Sequence, residues 1–276
     1  MPIPNSKIGF IFIFFLLPII VFSQSSTGRV LSGETLSGVG YVNIGIIGRN
    51  LGTVSDDDGN FAINLEKVSD NDSIRFSMIG FESKTFSVSQ FKADSVKNIY
   101  LTPVSYNLPE IDVTYHKPKN LRIGNPVLTD DLRSGFSNND LGSELGIKVY
   151  VRKKVILKNI NLNVAICTYD SVTYRLNIYQ TDDQIDYKNI LKKPVYISFS
   201  KERINKVITF DLLEYSIIVE GNVLITLELF KDMGEGRLLF RTEYFTGLTY
   251  HRKTSQGSWT QSPGVIGMYL NSIVLN

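Results

Sequence analysis

Two histidines, one cysteine and a few clustered acids are the residues of this 276-residue chain whose types invite a search for chemistry. A catalytic zinc site draws on three protein ligands, commonly as His-Glu-x-x-His on a helix. His116 and His251 are 135 positions apart and neither lies in such a spacing, so both are expected to be surface or half-buried side chains. Cys167 has no motif partner and is expected to be an inert, packed thiol. No Gly-x-Ser-x-Gly elbow is present, and no glycine-rich phosphate loop follows a strand and opens a helix. The pairs Asp130-Asp131 and Asp182-Asp183 are adjacent. Neighbouring side chains of a strand point to opposite faces, whereas glycosidase carboxyls must converge across a cleft, so these pairs read as solvated loop charges. The chain is therefore expected to be non-catalytic and to need no cofactor.

Two clusters suit binding instead. Asp56-Asp57-Asp58-Gly59-Asn60 offers carboxylates to calcium, with Asp56 and Asp58 as the weak candidates. The EF-hand spacing and its closing Glu are missing, and an Asp-Gly hairpin turn accounts for the same residues. The second cluster is aromatic: Tyr244, Phe245, Tyr250, Trp259 and Tyr269, interleaved with Arg241, Arg252, Lys253 and Gln256. A Trp face flanked by polar groups suits a sugar ring, which gives a speculative ligand site of Trp259, Tyr250, Arg252 and Gln256. Core filling by the same aromatics is the competing reading.

The elements that must position these residues are strands. Val42, Ile44 and Ile46 alternate with polar or small residues, as do Phe61, Ile63 and Leu65, then Ile74, Phe76 and Met78, then Phe86 and Val88, then Ile99 and Leu101. Turn-forming runs separate them, which predicts a β-sandwich over residues 27–102. Residues 103–139 carry Pro103, Pro109, Pro118 and Pro126 and read as an ordered linker, with one short edge strand at Leu108 to Val113. Alternation resumes over 140–276. Ile160, Leu162, Val164 and Ile166 mark one face against Asn161, Asn163, Ala165 and Cys167; Tyr174, Leu176 and Ile178 mark another; Val223, Ile225, Leu227 and Leu229 form the clearest strand. About eight or nine strands without a helix predict a second, jelly-roll-type sandwich, so the fold class is all-β.

Four motifs then occur in a telling order: Gly28-Arg29-Val30, Val39 to Ile44, Gly52 to Phe61, and Ser77-Met78-Ile79-Gly80-Phe81. With them the first domain resembles the carboxypeptidase-D regulatory-like domain, a transthyretin-like sandwich. In the enzymes that named it this domain accompanies a separate zinc peptidase domain, so the resemblance implies an accessory module. Similar domains open TonB-dependent outer-membrane receptors, where Leu108 to Val113 is similar to the lead into the plug. The stretch that follows here is too short for plug and barrel, which leaves an accessory place in such an uptake system as the weaker implication.

Hydrophobic residues make up 43% and charged residues 20%, a balance that suits packed cores rather than disorder. Residues 1–23 read as a signal peptide: Lys7, an apolar run from Ile8 to Phe22, and a small residue at Ser23. The run is interrupted by Pro18 and is shorter than the ~20 apolar residues of a spanning helix. Export to the periplasm, the outer membrane or the exterior of a Gram-negative cell is the expectation, with an envelope protein or a glycan as partner. The net charge of +2 is too balanced for a nucleic-acid binder. N-terminal sequencing of the protein recovered from the cell envelope is expected to begin at Gln24; recovery of an intact Met1 would refute the cleaved leader.

Overall fold

The computed structural model describes residues 25–93, 97–105, 119–127, 129, 132–181, 187–203 and 207–275. The leader, the segment Leu108 to Val113, His116 and the pairs Asp130-Asp131 and Asp182-Asp183 lie outside these described residues. The chain is nearly all β.

The first domain is two facing sheets. β1 (Ser25–Ser32), β4 (Asn60–Asn64) and β7 (Asn98–Leu101) form one, in the order β4-β1-β7, with β1 and β7 parallel. β2 (Asn43–Ile46), β3 (Gly52–Val54), β5 (Ser73–Ser77) and β6 (Lys84–Ser87) form the other, in the order β3-β2-β5-β6 and wholly antiparallel. The alternating hydrophobes meet between them: Val30, Ile44, Ile46, Ile74, Phe76 and Leu101 are fully buried. Phe61 meets Phe76 edge-on at 5.5 Å. Val88, expected in a strand, instead opens the short helix α1 (Val88–Ala93), whose Phe91 packs 5.7 Å from Phe76.

Sheet order follows from the turns. Asp56 accepts backbone N–H bonds from Asp58 at 3.0 Å and Asn60 at 2.7 Å, and a side-chain bond from Asn60 at 3.0 Å. Gly59 has φ +85° and lies so near the Val30 carbonyl that a Cβ would stand 2.4 Å from it, a position only glycine fills. The calcium candidates Asp56 and Asp58 are thus placed in a turn whose Asp56 carboxylate is engaged by the turn's own donors.

Among the described residues, the second domain is one network of twelve strands. β10 (Glu144–Leu162) is its spine. The first half of β10 lies between β16 (Ile218–Glu228) and β17 (Leu238–Arg252); the second half lies between β15 (Ile208–Asp211) and β19 (Met268–Val274). Register shifts between Val151 and Val155 and between Leu157 and Asn159 bend the strand from one sheet into the other around a single core. β12 (Ser171–Thr181) continues the first sheet beyond β16 and carries β13 (Tyr187–Asn189) and β14 (Val195–Ser200); β11 (Val164–Cys167) and β18 (Thr260–Ile266) pair with β17.

Within the stretch read as a linker, β8 (Asn120–Asn125) pairs with β19 and β9 (Leu132–Phe136) pairs with β17. Both are peripheral strands that bury a single residue each, Ile123 and Phe136. An edge strand has no strict apolar period, so the alternation test passes over it. The face assignment around Cys167 also changes. A register shift between Val164 and Ile166 reverses the alternation, so Cys167 joins the core beside Val164 while Ile166 is only half-buried.

Ile160 is fully buried where β10 passes between Phe210 of β15 and Leu270 of β19. Ile160→Ala is expected to lower unfolding stability by about 2–5 kcal/mol in a denaturant titration, because the cavity adds to the lost transfer energy. A loss below about 0.5 kcal/mol, less than even Ile→Val in a core, would contradict this position in the core.

Candidate functional site

The two sandwiches meet along the sheet β3-β2-β5. Every residue of β2 is buried, although only Ile44 and Ile46 face their own core. Asn43 and Gly45 face outward and are covered by the loop that follows β17. A Cβ on Gly45 would stand 2.1 Å from the Ser255 carbonyl oxygen, and one on Gly52 2.5 Å from the same atom, so these glycines let the loop lie flat on the sheet. Ser255 Oγ donates to Asn43 Oδ1 at 3.1 Å, Gln256 Nε2 to Ser77 Oγ at 2.8 Å, and Ser258 Oγ to the Gly48 carbonyl at 2.7 Å.

Beneath this contact runs a row of charges. Strand register sets Arg252 of β17 opposite Glu144 of β10, Glu144 opposite Glu228 of β16, and Glu228 opposite Arg175 of β12. Arg175, Glu144 and Glu228 are each 1% exposed or less. Arg175 grips Glu228 in a two-pronged pair, Nε to Oε2 at 2.9 Å and Nη2 to Oε1 at 2.8 Å. Its remaining donors cross to the first domain: Nη1 to the Tyr41 carbonyl at 2.7 Å and Nη2 to Asn43 Oδ1 at 2.8 Å. Asn177 Nδ2 also donates to Glu228, at 2.6 Å. At the other end Arg252 pairs with Glu144, Nε to Oε1 at 3.0 Å, and Glu144 accepts from Thr226 and, at 2.9 Å, from the Tyr179 hydroxyl.

Burial raises the cost of ionising both acids, yet they part company. For Glu228, burial is outweighed by the opposing pull of Arg175, helped by Arg252 and Asn177, and its carboxyl is held below the ordinary glutamate range. Glu144 is pushed up: burial exceeds the pull of Arg252, and the facing Glu228 adds to the rise. Burial and the neighbouring Glu144 push the Tyr179 hydroxyl far up, so it remains a hydrogen-bond donor.

Next to this row a cleft of about 280 Å³ opens between the domains. The first domain contributes Arg75, Ser77, Met78 and Phe81; the second contributes Tyr187, Lys188, Arg252 and Gln256, with Arg175 and Asn177 at the floor. Trp259 is half-buried behind Tyr187 and Tyr179, with ring centres 5.4 and 5.9 Å away, and the Arg252 guanidinium stacks 4.8 Å from its ring. Of the residues singled out in the sequence, Arg252 and Gln256 line the cleft and Trp259 backs it. Tyr250, two positions before Arg252 on the same face of β17, is half-buried near Tyr187, whose hydroxyl is pushed up by burial and by Tyr250. The other aromatics disperse: Tyr244 and Phe245 project from an irregularity within β17, where its pairing with β18 shifts between Glu243 and Leu248, and Tyr269 stacks with Arg122 at 5.1 Å. His251 is half-buried in β17, opposite Leu145 and Thr260. Cys167 Sγ meets the Tyr169 carbonyl at 3.5 Å, and burial pushes its thiol up.

Sequence reasoning passed over Glu144, Glu228, Arg75 and Lys188. The alternation of β12 did place Arg175, Asn177 and Tyr179 on the face away from the core, and that of β16 placed Thr226 and Glu228 there. What covers that face is a matter of domain packing.

Residues 26–113 match the family described as the CarboxypepD_reg-like domain. No curated protein matches the chain. The match covers the first domain together with residues 106–113, which lie outside the described residues.

Replacing Glu228 by Gln strips the buried charge from Arg175 and is expected to cost about 3–5 kcal/mol at neutral pH. Because the folded-state pKa of Glu228 is depressed, its contribution is present above the ordinary glutamate range and fades as pH falls through the folded value. The stability gap between the native protein and Glu228→Gln, measured by urea unfolding across pH, is therefore expected to narrow toward acid. A gap that widens there would overturn the assigned ionisation.

Proposed function

We propose that this chain, which carries a carboxypeptidase-regulatory-like β-sandwich as its first domain, is an exported, non-catalytic binding or assembly module of the bacterial envelope, and that its ligand enters the cleft between the two sandwiches. One observation carries the reading: the cleft is walled by both domains, while the charged groups at its floor are held by one another. Glu228 and Glu144 are engaged by Arg175, Arg252, Asn177, Tyr179 and Thr226. A carboxylate so engaged is a scaffold for a binding surface and a poor general base. The regulatory-like family is itself non-catalytic. Export rests on the leader-like residues 1–23, and among the described residues no helix is long and apolar enough to cross a membrane.

A second reading has its own observation. Trp259 retains partial exposure beside Arg252, which suits a sugar stacked on the indole with the guanidinium at its edge. The two readings separate in one experiment. Ser83, exposed at the cleft rim, can be changed to Trp to fill the cleft without touching either core. Glycan arrays and mass spectrometry of molecules co-purified from envelope extract are expected to show binding by the native protein and its loss in Ser83→Trp. Retention in Ser83→Trp with loss in Trp259→Ala would favour the indole platform, and binding indifferent to both variants would refute both.

A further inference from the structure

The cleft's lining is uneven in charge. Arg75, Lys188, Arg175 and Arg252 line it, and no Asp or Glu does among the described residues. Arg175 has no donor to spare: its three nitrogens bond Glu228, the Tyr41 carbonyl, Asn43 and the Met78 sulfur. Arg252 differs. Nε and Nη2 bond Glu144 and Tyr179, while Nη1 has no hydrogen-bond partner among the described residues, and the side chain as a whole keeps 10% of its exposure. Arg75 from the first domain gives one Nη2 bond to Ser83 at 3.2 Å, and neither it nor Lys188 from the second domain forms an ion pair among the described residues. Both are exposed at the mouth. Cationic side chains from both domains thus line a cavity near the lower end of the roughly 300–1,000 Å³ of small-molecule sites. Tyr187, Met78 and Phe81 supply apolar surface for a ring, and Ser77 and Gln256 supply hydroxyl and amide groups.

Resting on the cleft reading above, we infer that the ligand is a single hydroxylated ring bearing an oxyanion, an acidic sugar or a sugar phosphate, with the oxyanion held by Arg75, Lys188 and Arg252 Nη1. Charge-assisted bonds supply the affinity, and the two exposed cations make it fall with added salt. Four probes decide it by calorimetry with the whole protein: glucuronate, a hexose phosphate, glucose and inorganic phosphate. At least one anionic sugar is expected to bind about tenfold or more tightly than both glucose and inorganic phosphate, and Arg75→Gln and Lys188→Gln are each expected to weaken it by about three- to tenfold. Both side chains are exposed, so melting temperatures near that of the native protein are expected and certify that the variants fold. Glucose binding as tightly as the anionic sugars, inorganic phosphate binding as tightly as the hexose phosphate, unchanged affinity in both variants, or silence from all four probes would each overturn the inference. A neutral ligand captured by the native protein and lost in Ser83→Trp would sink this inference alone; binding indifferent to Ser83→Trp would sink the cleft itself.

Discussion

Two carboxylates face each other across neighbouring strands in the dry interior, and the arrangement around them follows from that problem. Glu144 and Glu228 occupy directly opposed positions on β10 and β16. Like charges so placed repel, and burial amplifies the repulsion. The answer is an arginine at each end of the row, Arg252 beyond Glu144 and Arg175 beyond Glu228. A buried ion pair is weak evidence for stability, but removing one partner is costly, since it leaves a charge with nowhere to go. Here the arrangement reaches across the domain boundary. Arg175 completes its hydrogen bonding only by reaching the Tyr41 carbonyl and Asn43 of the first sandwich. The relative placement of the domains is thereby tied to the neutralisation of Glu228.

Backbone irregularities make room for this. Gly45 and Gly52 permit the 253–258 loop to approach the sheet, and Gln256 at φ +61° turns that loop so that its amide meets Ser77. The register shifts of β10 let one strand serve two sheets, which wraps the second domain around a single core instead of leaving a long flat sheet with exposed edges. The same device changes which side chains point inward, as the reversal at Cys167 shows.

The cleft inherits its character from the row beneath it. Because the acids are spoken for, the groups left lining the cleft are donors and aromatic faces. The first domain's regulatory-like sandwich supplies one wall.

Period-two alternation was sufficient to show that the chain is all-β, because a half-buried strand must alternate. The motifs around Gly28, Gly52, Asp58-Gly59 and Gly80 were sufficient to place the first sandwich, because each encodes a local backbone requirement: Gly59 and Gly80 do adopt φ +85° and +89°. Trp259, Arg252, Tyr250 and Gln256 could be singled out as a group because they lie close together in the chain. Edge strands such as β8 and β9 were not legible, since each buries a single side chain, Ile123 and Phe136, and one buried residue makes no pattern. Nor was the partnership of Glu144 with Glu228 and Arg175 with Asn43, whose members are 84 and 132 residues apart. Alternation reports which face of a strand avoids its own core. Whether water or another domain covers that face depends on strand register and domain packing, and only the tertiary structure decided that here it is a second sandwich, closing over a row of charges and leaving a cleft beside it.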